Sequence, residues 1–310
     1  MTNEELLLLQ STKGIGDKSI LNICRNMKER PGASLTDITE SDVNTFVGMG
    51  RALKPLLELI SKGDVQEKVA CERLYIESLS TSGIQIIGFD EANYPALLRE
   101  LDSPPPLLFA KGNLSLLSEV DSVAVVGTRN NTDLGKLITQ KTVRFLVDAG
   151  FCIVSGLAIG IDGIAHQSAI DCKGKTIAVL VDIQNIMPAS HRALADSIIE
   201  NNGLLVAENR PGVSSIPAFF AKRDRIQAGL SIAVFAIETS TDGGTMHAVK
   251  TAGLLQRNVY VPDAKSARYS DLTIPQLSGT KMLAEDGRAE IYNRDKYSEI
   301  SKQLRTVART

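Results

Sequence analysis

The residues in this chain whose types and spacing suit chemistry are cations and bare amides, with no activated nucleophile among them. Gly127-Thr128-Arg129 and Ser155-Gly156 each follow a short apolar run. Gly243-Gly244-Thr245 opens a helical stretch, and Lys222, Arg223 and Arg225 lie in another just before an apolar run. Glycine turns at the ends of strands expose backbone N–H groups, and a helix start adds the positive end of its dipole, so both favour an anion such as phosphate. Arginine suits the same task because its planar fork grips two phosphate oxygens at once. His191 and Arg192, just past Pro188, and the segment Glu208-Asn209-Arg210 fall at equivalent strand-to-helix junctions, as does Asp182.

Other chemistries lack their residues. The glycines after the first strand are Gly127 and Gly135, which is not the GxGxxG spacing of a dinucleotide site, and neither a GxxxxGK[ST] loop nor a GxSxG elbow occurs. His166, His191 and His247 fall on or near helices, where packing or capping is the expected role and a three-histidine metal site is not. Asp162, at a helix start, is expected to cap it. Glu208 and Glu238 each end a strand, but no spacing rule makes them a carboxylate pair. No catalytic residues, metal or cofactor are therefore expected.

Positioning these turns on one edge requires parallel strands. Ser122–Val126 is valine-rich and reads as a strand buried on both faces; the stretch after Asp133 carries Leu134, Ile138, Phe145 and Ala149 near helical spacing; Phe151–Val154 is a second apolar run. This βαβ unit is followed by strands at 176–181, 204–207, 231–237 and 259–261, alternating with helices at 161–170, 189–201, 219–228 and 245–256. The alternation predicts an α/β fold with a doubly wound, mostly parallel, Rossmann-like sheet, whose strand tips form the binding edge. Residues 1–80 read as a small all-helical domain. Its Gly14-Ile15-Gly16 turn fits a helix-hairpin-helix, or equally a plain helical corner. Residues 81–290 form the sheet domain, entered through a proline-rich connector, and 291–310 a C-terminal tail, helical or loose.

Composition narrows the class further. The 310 residues are 43% hydrophobic with a net charge of −2, so nucleic-acid binding needs cations gathered on one face. Four scattered cysteines without a CxxC pair fit reduced thiols, the N-terminus MTNEELLLLQ does not read as a signal peptide, and no apolar run approaches ~18 residues. The expected location is cytoplasmic, with no membrane span.

Several runs occur in a recognisable order: Tyr94-Pro95, Pro104-Pro105-Pro106 through Gly112, Val123 to Arg129, Ser155 to Asp162 with Ala165-His166, Thr176 to Leu180, Pro188 to Leu194, Phe219 to Ser231, and Gly244-Thr245 with Ala252. On these the chain resembles the DNA-processing protein A (DprA/Smf) family over roughly residues 85–262. The resemblance implies a Rossmann-like domain that binds single-stranded DNA and helps load a RecA-type recombinase, in a homodimer that serves transformation or recombination and is not an enzyme. Carried over by motif, its phosphate pocket uses Gly127, Thr128, Arg129, Ser155, Gly156, Arg223 and Arg225. Within these runs Ile159 stands where the family has arginine, Asp224 where asparagine is common, and Met187 where tyrosine is usual. The wider superfamily also holds nucleotide-binding sensors and LOG-type nucleotide phosphoribohydrolases, whose glycine loop Gly243-Gly244-Thr245 resembles. A nucleotide site is the alternative reading.

Overall fold

A computed structural model describes residues 1–30, 32–118, 121–214, 216–263 and 275–308. The chain divides into two compact units. One comprises Met1–Tyr94 with Asp102–Phe109, the other Pro95–Leu101 with Ala110–Thr310. The first unit carries α1 (Asn3–Ser11), α2 (Asp17–Lys28), α3 (Glu40–Asn44), α4 (Leu53–Ser61), α5 (Val65–Thr81), β1 (Gln85–Gly88) and the first half of β2 (Leu107–Gly112). Helix α1 starts with a capping box in which Thr2 and Glu5 satisfy each other's backbone N–H, and it buries Leu6, Leu7, Leu8 and Leu9. The Gly14-Ile15-Gly16 turn joins α1 to α2 and buries Ile15. The Tyr94 hydroxyl donates to the Pro105 carbonyl at 2.8 Å, which fixes the path of the proline-rich connector.

The second unit alternates strand and helix. After α6 (Ala96–Arg99) come β3 (Ser122–Val126), α7 (Asp133–Asp148), β4 (Cys152–Ser155), α8 (Ile161–Asp171), β5 (Thr176–Leu180), α9 (Arg192–Glu200) and β6 (Leu204–Ala207). They are followed by α10 (Pro217–Gly229), β7 (Ala233–Ala236), α11 (Thr245–Leu254), β8 (Asn258–Pro262), α12 (Ser278–Glu285), β9 (Glu290–Tyr292) and α13 (Tyr297–Val307). Within this unit the strands lie in the order β6-β5-β4-β3-β7-β8-β9. Every one of these pairings is parallel, with Ala124 level with Val154 on one side and Val234 on the other. The apolar runs of β3 to β7 are buried along their whole length, as strands covered by helices on both faces must be. From β3 the chain winds outward to β6, then returns to β7 on the other side of β3. The order reverses between β3 and β7, and in open α/β sheets that crevice is where ligands bind.

Side chains of β3, β4 and β7 share one hydrophobic cluster with Val143 and Leu146 of α7, Ile161 and Ala165 of α8, and Ile300 and Leu304 of α13. The C-terminal stretch is thus a packed helix, and Tyr297 stacks on Phe145 with ring centroids 4.1 Å apart. β9 extends the parallel run beyond the six strands legible in the sequence. At three residues it is too short to show a period. Arg257, only 8% exposed, donates to the carbonyls of Gly229 and Ser231, closing the end of α10, and to that of Leu97.

Candidate anion-binding site

The turns after β3, β4 and β7 and the first residues of α11 enclose a cavity of about 340 Å³ at the point where the strand order reverses. Gly127, Thr128, Arg129, Asp162, Phe220, Arg223, Asp224, Thr239, Gly243, Gly244 and Thr245 are among the residues lining it. Each wall has a local cause. β3 ends at Gly127, where a Cβ would stand 2.5 Å from Ile161 Cγ1, so only glycine lets α8 approach this strand tip. Thr132 caps α7, its hydroxyl accepting the Gly135 N–H at 2.9 Å. Glu238, fully buried beyond β7, accepts from the Thr132 N–H at 2.9 Å and its hydroxyl at 2.6 Å, and so ties the β3–α7 turn to the end of β7. Removing that carboxylate leaves two donors without their acceptor. Glu238→Ala is expected to cost about 1–3 kcal/mol in urea unfolding, and no change in midpoint would show the tie to be slack.

The backbone amides are only partly available. The Thr128 N–H is taken by the Glu238 carbonyl at 2.7 Å and the Gly156 N–H by Asp162 Oδ2 at 3.2 Å. At α11 no side chain caps the helix, and the N–H groups of Gly244 and Thr245 carry no hydrogen bond among the described residues. The start of α11 is therefore where an anion finds bare amides and a favourable dipole together.

The cations divide into two sets. Arg129 is exposed at the rim, its guanidinium carbon 5.8 Å from the centroid of the Phe220 ring. Arg223 is 3% exposed, donates to the Val179 carbonyl at 2.6 Å and has its Nε 3.2 Å from Asp224 Oδ1. Its guanidinium covers Gly156, where a Cβ would collide with Nη1 and stand 2.7 Å from Asp162 Oδ2. Lys222 and Arg225, one turn apart on the same helix, instead reach Glu208 at the tip of β6, and are not among the residues lining the cavity. The three arginines of the sequence motif therefore do not converge on one point.

The remaining sequence candidates are placed as follows. Ser155 is fully buried and donates to the Val125 carbonyl at 2.7 Å. His191 Nδ1 lies 2.8 Å from the Leu157 carbonyl, and Arg192 is exposed at the start of α9. His166 is buried with Nδ1 2.7 Å from Thr176 Oγ1, and burial holds its imidazole down at about 3. Among the described residues no cluster of His, Cys, Asp and Glu could hold a metal ion. Asp162 does not cap α8, whose N-cap is Gly160. It turns back onto the preceding loop, and burial pushes its carboxyl up against the downward pull of Arg223, Ser155 and the Ala158 and Gly156 amides. Asp224 is the cavity residue that spacing did not bring forward. Burial pushes its carboxyl up to about 6 although Arg223 pulls it down, and Asp162 adds to the rise.

A parallel sheet with a polar, arginine-lined crevice at its order reversal is a Rossmann-like fold whose crevice suits an anion. Comparison with known proteins places it more narrowly. The profile of the family described as "DNA recombination-mediator protein A" matches residues 85–305, and the chain belongs to that family. It is 30% identical over 261 residues to the DNA processing protein DprA of Bacillus subtilis, covering 80% of this chain and 85% of that one. The X-ray structure of DprA from Streptococcus pneumoniae superposes with a TM-score of 0.79 at 26% identity over 96% of both chains. A structure of DprA from Helicobacter pylori, described for its single-stranded DNA binding mode, gives a TM-score of 0.62 at 26% identity over 71% of this chain and 97% of that one. Among the described residues no helix is long and apolar enough to cross a membrane.

Proposed function

We propose that this protein binds single-stranded DNA through backbone phosphates held at the β3–β7 crevice, and that it acts as a recombination mediator that hands the strand to a RecA-type recombinase. The observation that carries the reading is the pairing of Arg129 with the open amides of Gly244 and Thr245 across one cavity. Gly127, Thr128 and Gly243 shape its walls, Arg223 sets its floor, and Gly156 leaves room for that guanidinium. His191, Arg192, Lys222 and Arg225 serve the neighbouring phosphates of the same strand. Family membership and the Helicobacter pylori relative support the ligand class. We read the role as binding rather than catalysis, in keeping with Glu238 being held by Thr132 and Glu208 by Lys222 and Arg225. We place the helical residues 1–80 as a separate domain and the functional form as a cytoplasmic homodimer.

The test is titration of labelled single- and double-stranded oligonucleotides at two salt concentrations. Single strands are expected to bind tighter, with log affinity falling against log salt by about 0.7 per phosphate neutralised. Equal binding of duplex, or salt-independent binding, would remove this reading. Release of free base from nucleoside monophosphates would replace it with a nucleotide hydrolase.

A further inference from the structure

Asp224 puts a carboxylate where an anion is expected to sit. Its Oδ1 accepts from Gln227 Nε2 at 2.8 Å and lies 3.2 Å from Arg223 Nε. Its Oδ2 faces the start of α11, since a Cβ on Gly244 would have that oxygen, at 3.9 Å, as its nearest neighbour. The same oxygen therefore lies beside the start of α11, the helix end that the proposed phosphate would use. The charged and titratable groups around it are Arg223 on its own helix, Asp162 from α8, His247 from α11 and Arg129 from the turn after β3.

A phosphodiester carries one full negative charge and has no proton to give near neutral pH. Beside Asp224 it meets either an ionised carboxylate, which repels it, or a neutral carboxyl, whose O–H donates to it. Only the second arrangement is attractive. We propose that Asp224 is a proton-linked gate on this site: a phosphodiester enters together with one proton from solvent, which resides on Asp224 and donates to a phosphoryl oxygen. This rests on the single-stranded DNA reading above and adds a specificity to it.

Two facts agree with the gate. The carboxyl is already pushed up to about 6 by burial, part of the way toward staying neutral in the complex. A phosphate charge brought beside it pushes in the same direction. The sign follows from linkage. The complex holds one more proton than the free protein once the pH exceeds about 6, so affinity is greatest below that point and falls as pH rises, by up to about tenfold per pH unit.

The experiment uses the full chain and an oligothymidylate without terminal phosphates, because a phosphomonoester would bring a proton of its own. Affinity is measured by anisotropy between about pH 5.5 and 8.5, across the range in which a raised carboxyl titrates. Proton uptake is read by calorimetry in two buffers of different ionisation heat. Wild type should take up close to one proton at the alkaline end, and Asp224→Asn none. Asp224→Asn should also show a flat profile and bind at least about tenfold tighter than wild type at the alkaline limit. His247→Gln should keep the uptake. Uptake retained by Asp224→Asn, or lost in His247→Gln alone, overturns the gate while leaving the DNA site in place. Failure of every variant and of wild type to bind at any pH removes the DNA reading and the gate together. Thermal melts confirm folding, and Asp224→Ser repeats the comparison should asparagine unfold the protein.

Discussion

Reversing the charge at the cavity rim, Arg129→Glu, is expected to weaken single-stranded DNA binding by more than a hundredfold while leaving the melting temperature almost unchanged. A charge-assisted hydrogen bond to phosphate contributes about 1.5–3 kcal/mol, so Arg129→Ala alone should lose roughly ten- to a hundredfold, and an added negative charge extends the loss. Stability should hold because the side chain is exposed and its contact is the face of Phe220, which contributes about 0.5–1 kcal/mol at such a site. The loss should be the same for every base sequence, and the salt slope should shrink by about 0.7. Anisotropy titrations of wild type, Arg129→Ala and Arg129→Glu against several oligonucleotides measure all three quantities. Unchanged affinity in the glutamate variant would move the phosphate seat away from this crevice.

Arg223→Ala is expected to destabilise the fold by about 3–5 kcal/mol, the range found when one partner of a buried ion pair is removed. Arg223 is as basic in type as Arg129 but has a different job. It lies under the cavity at 3% exposure, bonds the Val179 carbonyl, pairs with Asp224 and faces Asp162 across Gly156. Without it, two carboxyls that burial already pushes up lose the cation that pulls them down. The pH dependence has a definite sign. Asp224 has a folded-state value raised to about 6, so its contribution is complete in acid and is lost as pH rises through that value. In Arg223→Ala the value climbs further and the loss continues to higher pH. The stability gap between variant and wild type should therefore widen from about pH 6 upward. Urea unfolding at several pH values measures it, and a gap that is constant or narrows in alkali would show that Arg223 does not compensate these acids. Asp162→Asn in the Arg223→Ala background should recover part of the loss, because it removes one unpaired charge.

These two arginines show what residue type leaves open. Both stand in motifs that line the same crevice, Arg129 in the turn after β3 and Arg223 within α10. One is a rim cation free to meet a ligand, the other part of the floor. Lys222 and Arg225 make a third case. They neighbour Arg223 in sequence, yet the helical turn carries them to Glu208 at the tip of β6. Any DNA contact they make competes with that carboxylate, so their single replacements should weaken binding less than Arg129→Ala.

The fold was largely written in the sequence. Short valine-rich runs ending in glycine turns and alternating with helical periods leave a parallel α/β sheet as the economical arrangement, because only strands buried on both faces tolerate such uninterrupted apolar runs. The edge that collects the functional turns follows from that topology, and so do Gly127, Arg129 and the opening of α11. Short and terminal elements lay below this resolution, α6 and α12 among them. β9 is too short to display a period, and the helix Tyr297–Val307 packs through Tyr297, Ile300 and Leu304, whose partners lie on distant segments. What the tertiary structure decided is the ownership of each polar group. Thr128 and Gly156 spend their amides on Glu238 and Asp162, Ser155 turns inward, Asp162 leaves the cap for the loop, and Asp224 faces the cavity. Local spacing fixes where a side chain begins, but its partner comes from another strand or helix many residues away. Burial then sets the strength of that pairing, and only the folded chain brings both to one place.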